Sequence, residues 1–389
     1  MEEKYKIVIV GGRLQGTESA YLARKAGYYS ILIDRDPNAP ASALCDDFIC
    51  GDVCSSDPEL LKVLLESDLI LPAMENDETL AFLEDLGEKC SVKIAFDFTA
   101  YSVTSSKQKS DKLFHDQGIP APAYYPDCKA PYIAKPSAES GSAGVQSLAT
   151  EEEAERFLSN LKPDEKGNWI IQEQLTGPSY SIEIIGKPGA YKAYQITQIH
   201  MDHVYDCNRV TCPCPVTEEQ KLGFEDMAYK IAETIGLHGI MDLEVIDDGG
   251  VFKILEIDAR IPSQTPTAVF HSTGVNLLAE LVSLFEGEWG EATGLERLRL
   301  AKERFVSYEH HYIAEGSLQS PGEHIMGSGG PLRLYENYLG CDEVITDYME
   351  GDKVFRGTFI NSGESPEELE TKRLRMMEAL KEKFKALLI

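Results

Sequence analysis

The sequence predicts an α/β domain at the N-terminus followed by a larger α+β region. Three observations carry that prediction. The first hundred residues alternate short apolar strands with helical segments, the rhythm of a parallel, doubly wound sheet. Beyond Pro120 and Pro122 the chain turns β-rich. Its 389 residues, 43% hydrophobic and 26% charged, suit a few folded domains that bury their own cores.

In order, Tyr5–Val10 is a strand, Thr17–Ala26 a helix and Ser30–Ile33 a strand. Pro58–Leu65 is a helix, Leu69–Pro72 a strand, Glu78–Leu86 a helix and Lys93–Phe96 a strand. A helix over Ser105–Gln117 ends at Gly118, with prolines just beyond. Strands follow at Tyr132–Ala134, Trp169–Gln172, Tyr180–Ile185 and Ala190–Ile199, then a helix at Glu218–Ile235 and strands at Met241–Asp247 and Val251–Ile257. A third region has strands near Phe305–Tyr312 and Asp342–Asp347 and ends in a charged helix, Pro366–Leu388, read as a solvated face. The expected domains are residues 1–103, 104–290 and 291–389.

With 37 Lys and Arg against 65 Asp and Glu, the formal charge is −28. That excludes partners bound by phosphate neutralisation: no nucleic acid and no anionic membrane surface. A cationic small molecule meets a favourable field, whereas an anionic one needs a local basic pocket. No apolar run approaches the ~18 residues of a membrane span. Nine scattered cysteines and an N-terminus that enters a strand at once read as reduced thiols of a cytoplasmic protein.

Gly11-Gly12-Arg13-Leu14-Gln15-Gly16 links the first strand to the first helix, where free N–H groups make an anion site. Asp34 ends the second strand, where a dinucleotide fold places its ribose acid. Arg13 stands where the G-x-G-x-x-G fingerprint needs glycine, which counts against NAD. A carboxylate site or an ATP edge, with Arg13, Asp34 and Asp52 as contacts, stays open.

Lys135, in a short strand, precedes the small-residue run Ser137–Val145, which includes Ser140. A strand lysine before such a loop points to triphosphate binding, and a flexible hairpin is the alternative. Asp242 and Glu244 share one strand face, as do Glu256, Asp258 and Arg260 on the next strand. Carboxylates converging from adjacent strands repel unless a cation sits among them, and oxygen-only donors suit Mg²⁺. A satisfied structural cluster is the alternative. His200, His203, Cys207, Cys212 and Cys214 resemble a zinc list with irregular spacing.

Taken in order, Lys107, Lys135, the small-residue loop, Gln172–Leu175 and Leu255–Arg260 resemble the ATP-grasp superfamily over roughly residues 1–300. Val10–Gly16, Tyr205–Cys207, Gly239–Glu244 and Glu256–Val269 are similar to a narrower family, the pyrrolysine-biosynthesis ligases that join 3-methyl-D-ornithine, or D-ornithine, to the side-chain amine of L-lysine. The resemblance implies a Rossmann-like pre-ATP-grasp domain, a two-lobed ATP-grasp region and a C-terminal lobe. It implies ATP and two Mg²⁺ ions, with Mn²⁺ as a substitute, and amino acid substrates; a homodimer is one arrangement it allows. Lys107, Lys135 and Ser140 would contact phosphates, and Gln172, Glu173 and Leu175 would line the adenine pocket. Glu244, Glu256 and Asp258 would hold metal, while Arg260 and Asp242 would act on the reacting groups. Ser181, Glu183 and Asp242 match the ornithine side, and Leu14, Gln15 and Glu75 the lysine side. Two departures stand out: Ser179 replaces the ribose acid of many relatives, and Asp258 replaces an asparagine common in the superfamily. The alternatives are a ligase for another amino acid pair, a nicotinamide-dependent oxidoreductase, and a non-catalytic ATP-binding regulator.

Overall fold

The computed structural model describes residues 4–388 apart from 56, 138–143, 164–165 and 290–302. Ser140 therefore lies outside the described residues. The N-terminal sheet holds β1 (Lys6–Val10), β2 (Tyr29–Asp34), β3 (Asp47–Cys50) and β4 (Leu69–Pro72), parallel and in the order β3-β2-β1-β4. Because β1 and β2 are covered on both faces, they read as unbroken apolar runs. Around the sheet pack α1 (Leu14–Ala26), α2 (Pro58–Leu65) and α3 (Asp77–Cys90). The strand expected at Lys93–Phe96 is reduced to a single bridge between Ile70 and Ile94. The helix expected over Ser105–Gln117 is α5 (Lys107–Gln117), and a separate short helix, α4 (Phe98–Thr104), precedes it; Asp97 and Ser106 are their N-terminal cap residues.

A small antiparallel sheet, order β6-β5-β7, contains β5 (Tyr132–Pro136), β6 (Gln146–Leu148) and β7 (Trp169–Glu173), with α6 (Glu151–Asn160) beside it. The large sheet begins with β8 (Ser179–Lys187), β9 (Ala190–Ala193), β10 (Thr197–Met201) and β11 (Cys207–Cys212). The strand expected over Ala190–Ile199 is thus two strands, β9 and β10, both paired to β8. After α7 (Glu218–Ile235), whose Thr217–Gln220 capping box fixes its start, come β12 (Gly239–Asp248) and β13 (Val251–Asp258). Two buried helices follow, α8 (Thr265–Thr273) and α9 (Leu277–Glu286).

The C-terminal elements are β14 (Phe305–Ala314), β15 (Ser317–Gln319), α10 (His324–Gly327), β16 (Arg333–Glu336), β17 (Glu343–Thr346), β18 (Phe355–Gly363) and α11 (Pro366–Lys383). Their strands extend the large sheet in the order β13-β12-β8-β10-β11-β14-β18-β17-β16. Helix α11 is not wholly solvated: Met376 and Leu380 are fully buried against Phe355 and Phe359, and Arg373 pairs with Glu309. Its many charges masked this narrow apolar stripe. One core cluster joins α1 to α8, α9 and β14, which sets the N-terminal domain against the large sheet.

Candidate functional site: a carboxylate face beside an N-terminal cleft

Antiparallel register builds the site. On β8, β12 and β13, Ser181 faces Glu244, which faces Glu256, while Glu183 faces Asp242, which faces Asp258. Directly paired residues share a sheet face, so the acids expected to converge do so. Ser181, Asp242, Glu244, Glu256, Asp258 and Arg260 line one cavity of about 120 Å³.

The acids there are under strain. Burial, then Glu256 and Asp258, push the Glu244 carboxyl up to about 8. Burial raises Asp258 to about 7, with Arg260 opposing, and drives Asp242 well above the usual carboxylate range. Buried Glu183 is pushed up to about 7. Two cations answer them. Arg260 Nη2 donates to Asp258 at 3.1 Å, and Lys107 Nζ donates to Glu256 at 2.6 Å. Burial works against the charge on Arg260, but Asp258, Glu75 and Asp242 outweigh it and hold its proton tightly.

Lys135, only 7% exposed, donates to the Leu255 carbonyl at 3.3 Å. Lys107 and Lys135 thus meet neighbouring positions of β13 from two different elements. The first turn of α5 is anchored to the end of β5, since Lys107 N donates to Ser137 O at 3.0 Å. Burial lowers the Lys135 pKa. On β7, Gln172 is buried with its side-chain oxygen unpartnered. Glu173 instead accepts from Lys253 Nζ at 2.8 Å and from Ala123 N at 2.9 Å, a bridge between the small and large sheets. Leu175 is half-buried just beyond.

Among the described residues no three acidic, His or Cys side chains form a finished metal cage. The donor set nevertheless fits Mg²⁺: the donors are carboxylate oxygens crowded on one sheet face, and beside them one oxygen of buried Asp242 has no partner. The zinc reading fares differently. Cys212 Sγ contacts the Ala268 carbonyl, Cys214 Sγ the Ile196 carbonyl, and His200 lies against Thr211 and Arg209.

Arg13, Leu14, Gln15, Asp34, Asp52 and Glu75 line a second cavity of about 850 Å³ in the N-terminal domain. Asp34 serves the backbone there, accepting from Gly12 N at 2.6 Å and Asp36 N at 2.8 Å. Arg13 in place of glycine still counts against the nicotinamide alternative. Arg35 lies 3.7 Å from Asp52. Gln15 Nε2 donates to Glu75 at 2.8 Å, which joins two residues of the expected lysine side.

Three residues near the site escaped sequence reasoning. Glu18 on α1 accepts from Gln264 N, Thr267 N and Thr267 Oγ1. Gln264, with φ 68°, lines the cavity beside Cys207 and His310. Glu323 lines it from the C-terminal region. Contacts this distant in sequence leave no local signal.

A family model described as an ATP-grasp domain matches residues 104–264. The chain is 37% identical over 382 residues to the 3-methyl-D-ornithine–L-lysine ligase of Methanosarcina acetivorans, covering 98% of this chain and 99% of the relative. The Methanosarcina barkeri ligase of the same name is 34% identical, with 98% and 99% covered. The biotin carboxylase domain of Hydrogenobacter thermophilus 2-oxoglutarate carboxylase, solved with MgADP, matches with a TM-score of 0.70 at 17% identity, over 98% of this chain and 90% of that one. The L-amino acid ligase of Bacillus licheniformis matches with a TM-score of 0.67 at 15% identity, over 97% and 98%. These last two show the fold. A near full-length match, together with the carboxylate face and lysine pair described above, establishes that the chain belongs to the 3-methyl-D-ornithine–L-lysine ligase family of ATP-grasp proteins.

Proposed function

We propose that the protein is an ADP-forming ligase that joins the carboxylate of 3-methyl-D-ornithine, or D-ornithine, to the side-chain amine of L-lysine in pyrrolysine biosynthesis. The observation that carries this reading is the paired register of Glu244 with Glu256 and of Asp242 with Asp258, faced by Lys107, Lys135 and Arg260. A carboxylate oxygen attacks the γ-phosphorus of ATP, ADP leaves, and the acyl phosphate is attacked by an amine nitrogen that has lost its proton. Phosphate then leaves and the amide remains.

Glu244, Glu256 and Asp258 would hold Mg²⁺, which supplies charge neutralisation at the phosphates. We assign two ions, with Mn²⁺ able to substitute. Lys107 and Lys135 offset phosphate charge, with Ser140 assigned to the same task and Gln172, Glu173 and Leu175 to the adenine side. Arg260 orients the carboxylate under attack and stabilises the oxyanion that follows. Ser181, Glu183 and Asp242 hold the ornithine side, Leu14, Gln15 and Glu75 the lysine side, and Arg13, Asp34 and Asp52 a nucleotide edge of the N-terminal cleft. We retain 1–103, 104–290 and 291–389 as the domain division, place the protein in the cytoplasm, where its unpaired cysteines are at home, and allow a homodimer.

The test is ADP release with D-ornithine and L-lysine, alone and together, with product mass measured. ADP formation that requires both, and a product of the summed mass less one water, supports the reading. Release that ignores lysine, or that answers equally to other amino acid pairs, overturns it.

A further inference from the structure

We propose that Glu323 is a specificity-determining residue whose carboxylate receives the side-chain ammonium of the amine substrate. The proposal rests on the ligase reading above and adds a residue from the C-terminal region to the site.

Two pairs of residues mark the border between the N-terminal cleft and the catalytic cavity. Glu75 lines the cleft and Arg260 the cavity, and they form an ion pair. His324 lines the cleft and its chain neighbour Glu323 lines the cavity. An amino acid held at Gln15 and Glu75 has to extend its side chain across this border to reach the carboxylate face. Glu323 lines the cavity beyond that border.

The surrounding chain fixes it there. Asp206 accepts from His324 N at 3.2 Å and pairs with His324 Nδ1 at 2.8 Å, while Asp202 accepts from Gly322 N at 3.1 Å. Ser263 and Gln264 line the cavity with Glu323 and, though neutral, favour its charged form. Glu323 makes no ion pair among the described residues.

Of the other acids lining the cavity, Asp206 is paired with His324, Asp258 with Arg260 and Glu256 with Lys107, while Glu244 is assigned above to the metal and Asp242 to the ornithine side. A carboxylate buried without a cation is costly, and an ammonium arriving beside it offsets that cost. Burial raises the Glu323 pKa, as expected of such a group. A neutral side chain of the same length would leave the acid uncompensated, so the charge itself is what discriminates.

The experiment compares L-lysine with L-norleucine, which has the same chain length and no side-chain amine. Their affinities are measured by calorimetry on the full chain with ATP analogue bound, for wild type, Glu323→Gln and Glu323→Asp. Wild type should favour lysine by about 10- to 100-fold, the range of one charge-assisted hydrogen bond. Glu323→Gln should bring the ratio to within about threefold, with norleucine and nucleotide affinity unchanged. A ratio that survives in Glu323→Gln overturns the assignment. So does a loss shared equally by lysine and norleucine, which marks a structural role, or a loss confined to D-ornithine. If Glu323→Gln loses its thermal transition, Glu323→Asp decides: a reduced ratio at constant norleucine affinity supports the proposal, and an unchanged ratio overturns it. Failure of wild type itself to prefer lysine, or to release ADP in its presence, removes the ligase reading and this proposal with it.

Discussion

Glu75 Oε1 lies 2.7 Å from Arg260 Nε, and the same oxygen accepts from Gln15 at 2.8 Å. Glu75 follows β4 of the N-terminal sheet, whereas Arg260 follows β13 at the edge of the large sheet. This ion pair ties the expected lysine side to a residue that also contacts Asp258. Residues meant to grip one substrate and to act on the other are therefore in direct contact.

Glu75→Gln should raise the KM for lysine about 10-fold or more, because it removes an ammonium acceptor and loosens Arg260. Nucleotide affinity should stay within about twofold of wild type. Steady-state kinetics at saturating ATP, with calorimetry for the nucleotide, check both. Selectivity between the two lysine nitrogens should also fall, read by mass spectrometry with lysine labelled at one nitrogen. Unchanged lysine kinetics would remove Glu75 from the lysine pocket.

Glu256→Gln should abolish turnover without unfolding the chain. The variant loses one carboxylate of the shared metal face and the Lys107 ion pair at 2.6 Å. The same change removes one charge from a crowded acidic face, and Glu256 is a named cause of the raised Glu244 pKa. Relief of that repulsion opposes the loss of the Lys107 pair, so melting temperature should stay near wild type while ADP release falls by at least about 100-fold. Near-normal release at ordinary Mg²⁺ would refute the metal assignment.

How far these residues were legible depended on how local their signals were. Asp242, Glu244, Glu256 and Asp258 lie on two consecutive strands joined by Gly249 and Gly250, so strand periodicity alone placed them on one face. Arg260 continued the same alternation, Lys135 was marked by the small-residue run after it, and the resemblance assigned it and Lys107 to the phosphates. The helix pair α8–α9 was missed because no residue type there stands out. Glu18 and Gln264 meet across 246 positions, and only the docking of α1 against α8 brings them together. The C-terminal helix misled for a different reason: two buried residues, Met376 and Leu380, are outnumbered by charged neighbours.

Lys135→Met should weaken ATP binding about 10-fold or more and change lysine affinity by less than about threefold. Lys135 is 7% exposed and has the Leu255 carbonyl as its neutral partner, with Asp111 and Glu256 as the acids acting on it. A buried ammonium facing the nucleotide side gains most when phosphate arrives, and methionine fills similar space without charge. Calorimetry with a non-hydrolysable ATP analogue measures this directly. Equal affinities would make Lys135 a structural lysine.

Glu18 gives a prediction about stability and pH. Its carboxylate, on α1, caps α8, accepting from Thr267 N at 2.6 Å, Thr267 Oγ1 at 2.7 Å and Gln264 N at 3.2 Å. Burial nevertheless raises its pKa from 4.5 to about 7, against those hydrogen bonds and with Glu323 adding repulsion. Between these two values the folded chain keeps a proton that the unfolded chain releases. The group's contribution to stability is therefore full below about 4.5 and is lost as pH rises toward about 7, at up to ~1.4 kcal/mol per pH unit. Above that it changes no further. Glu18→Gln removes this titration, so the variant's stability should fall less steeply from pH 5 to 7 than wild type. Other buried acids titrate in the same window in both proteins, and the difference between the two curves isolates Glu18. Urea denaturation at pH 5, 6, 7 and 8 provides those curves. Parallel lines throughout would mean that Glu18 is ionised in the folded protein across the whole range, held so by the cap it makes.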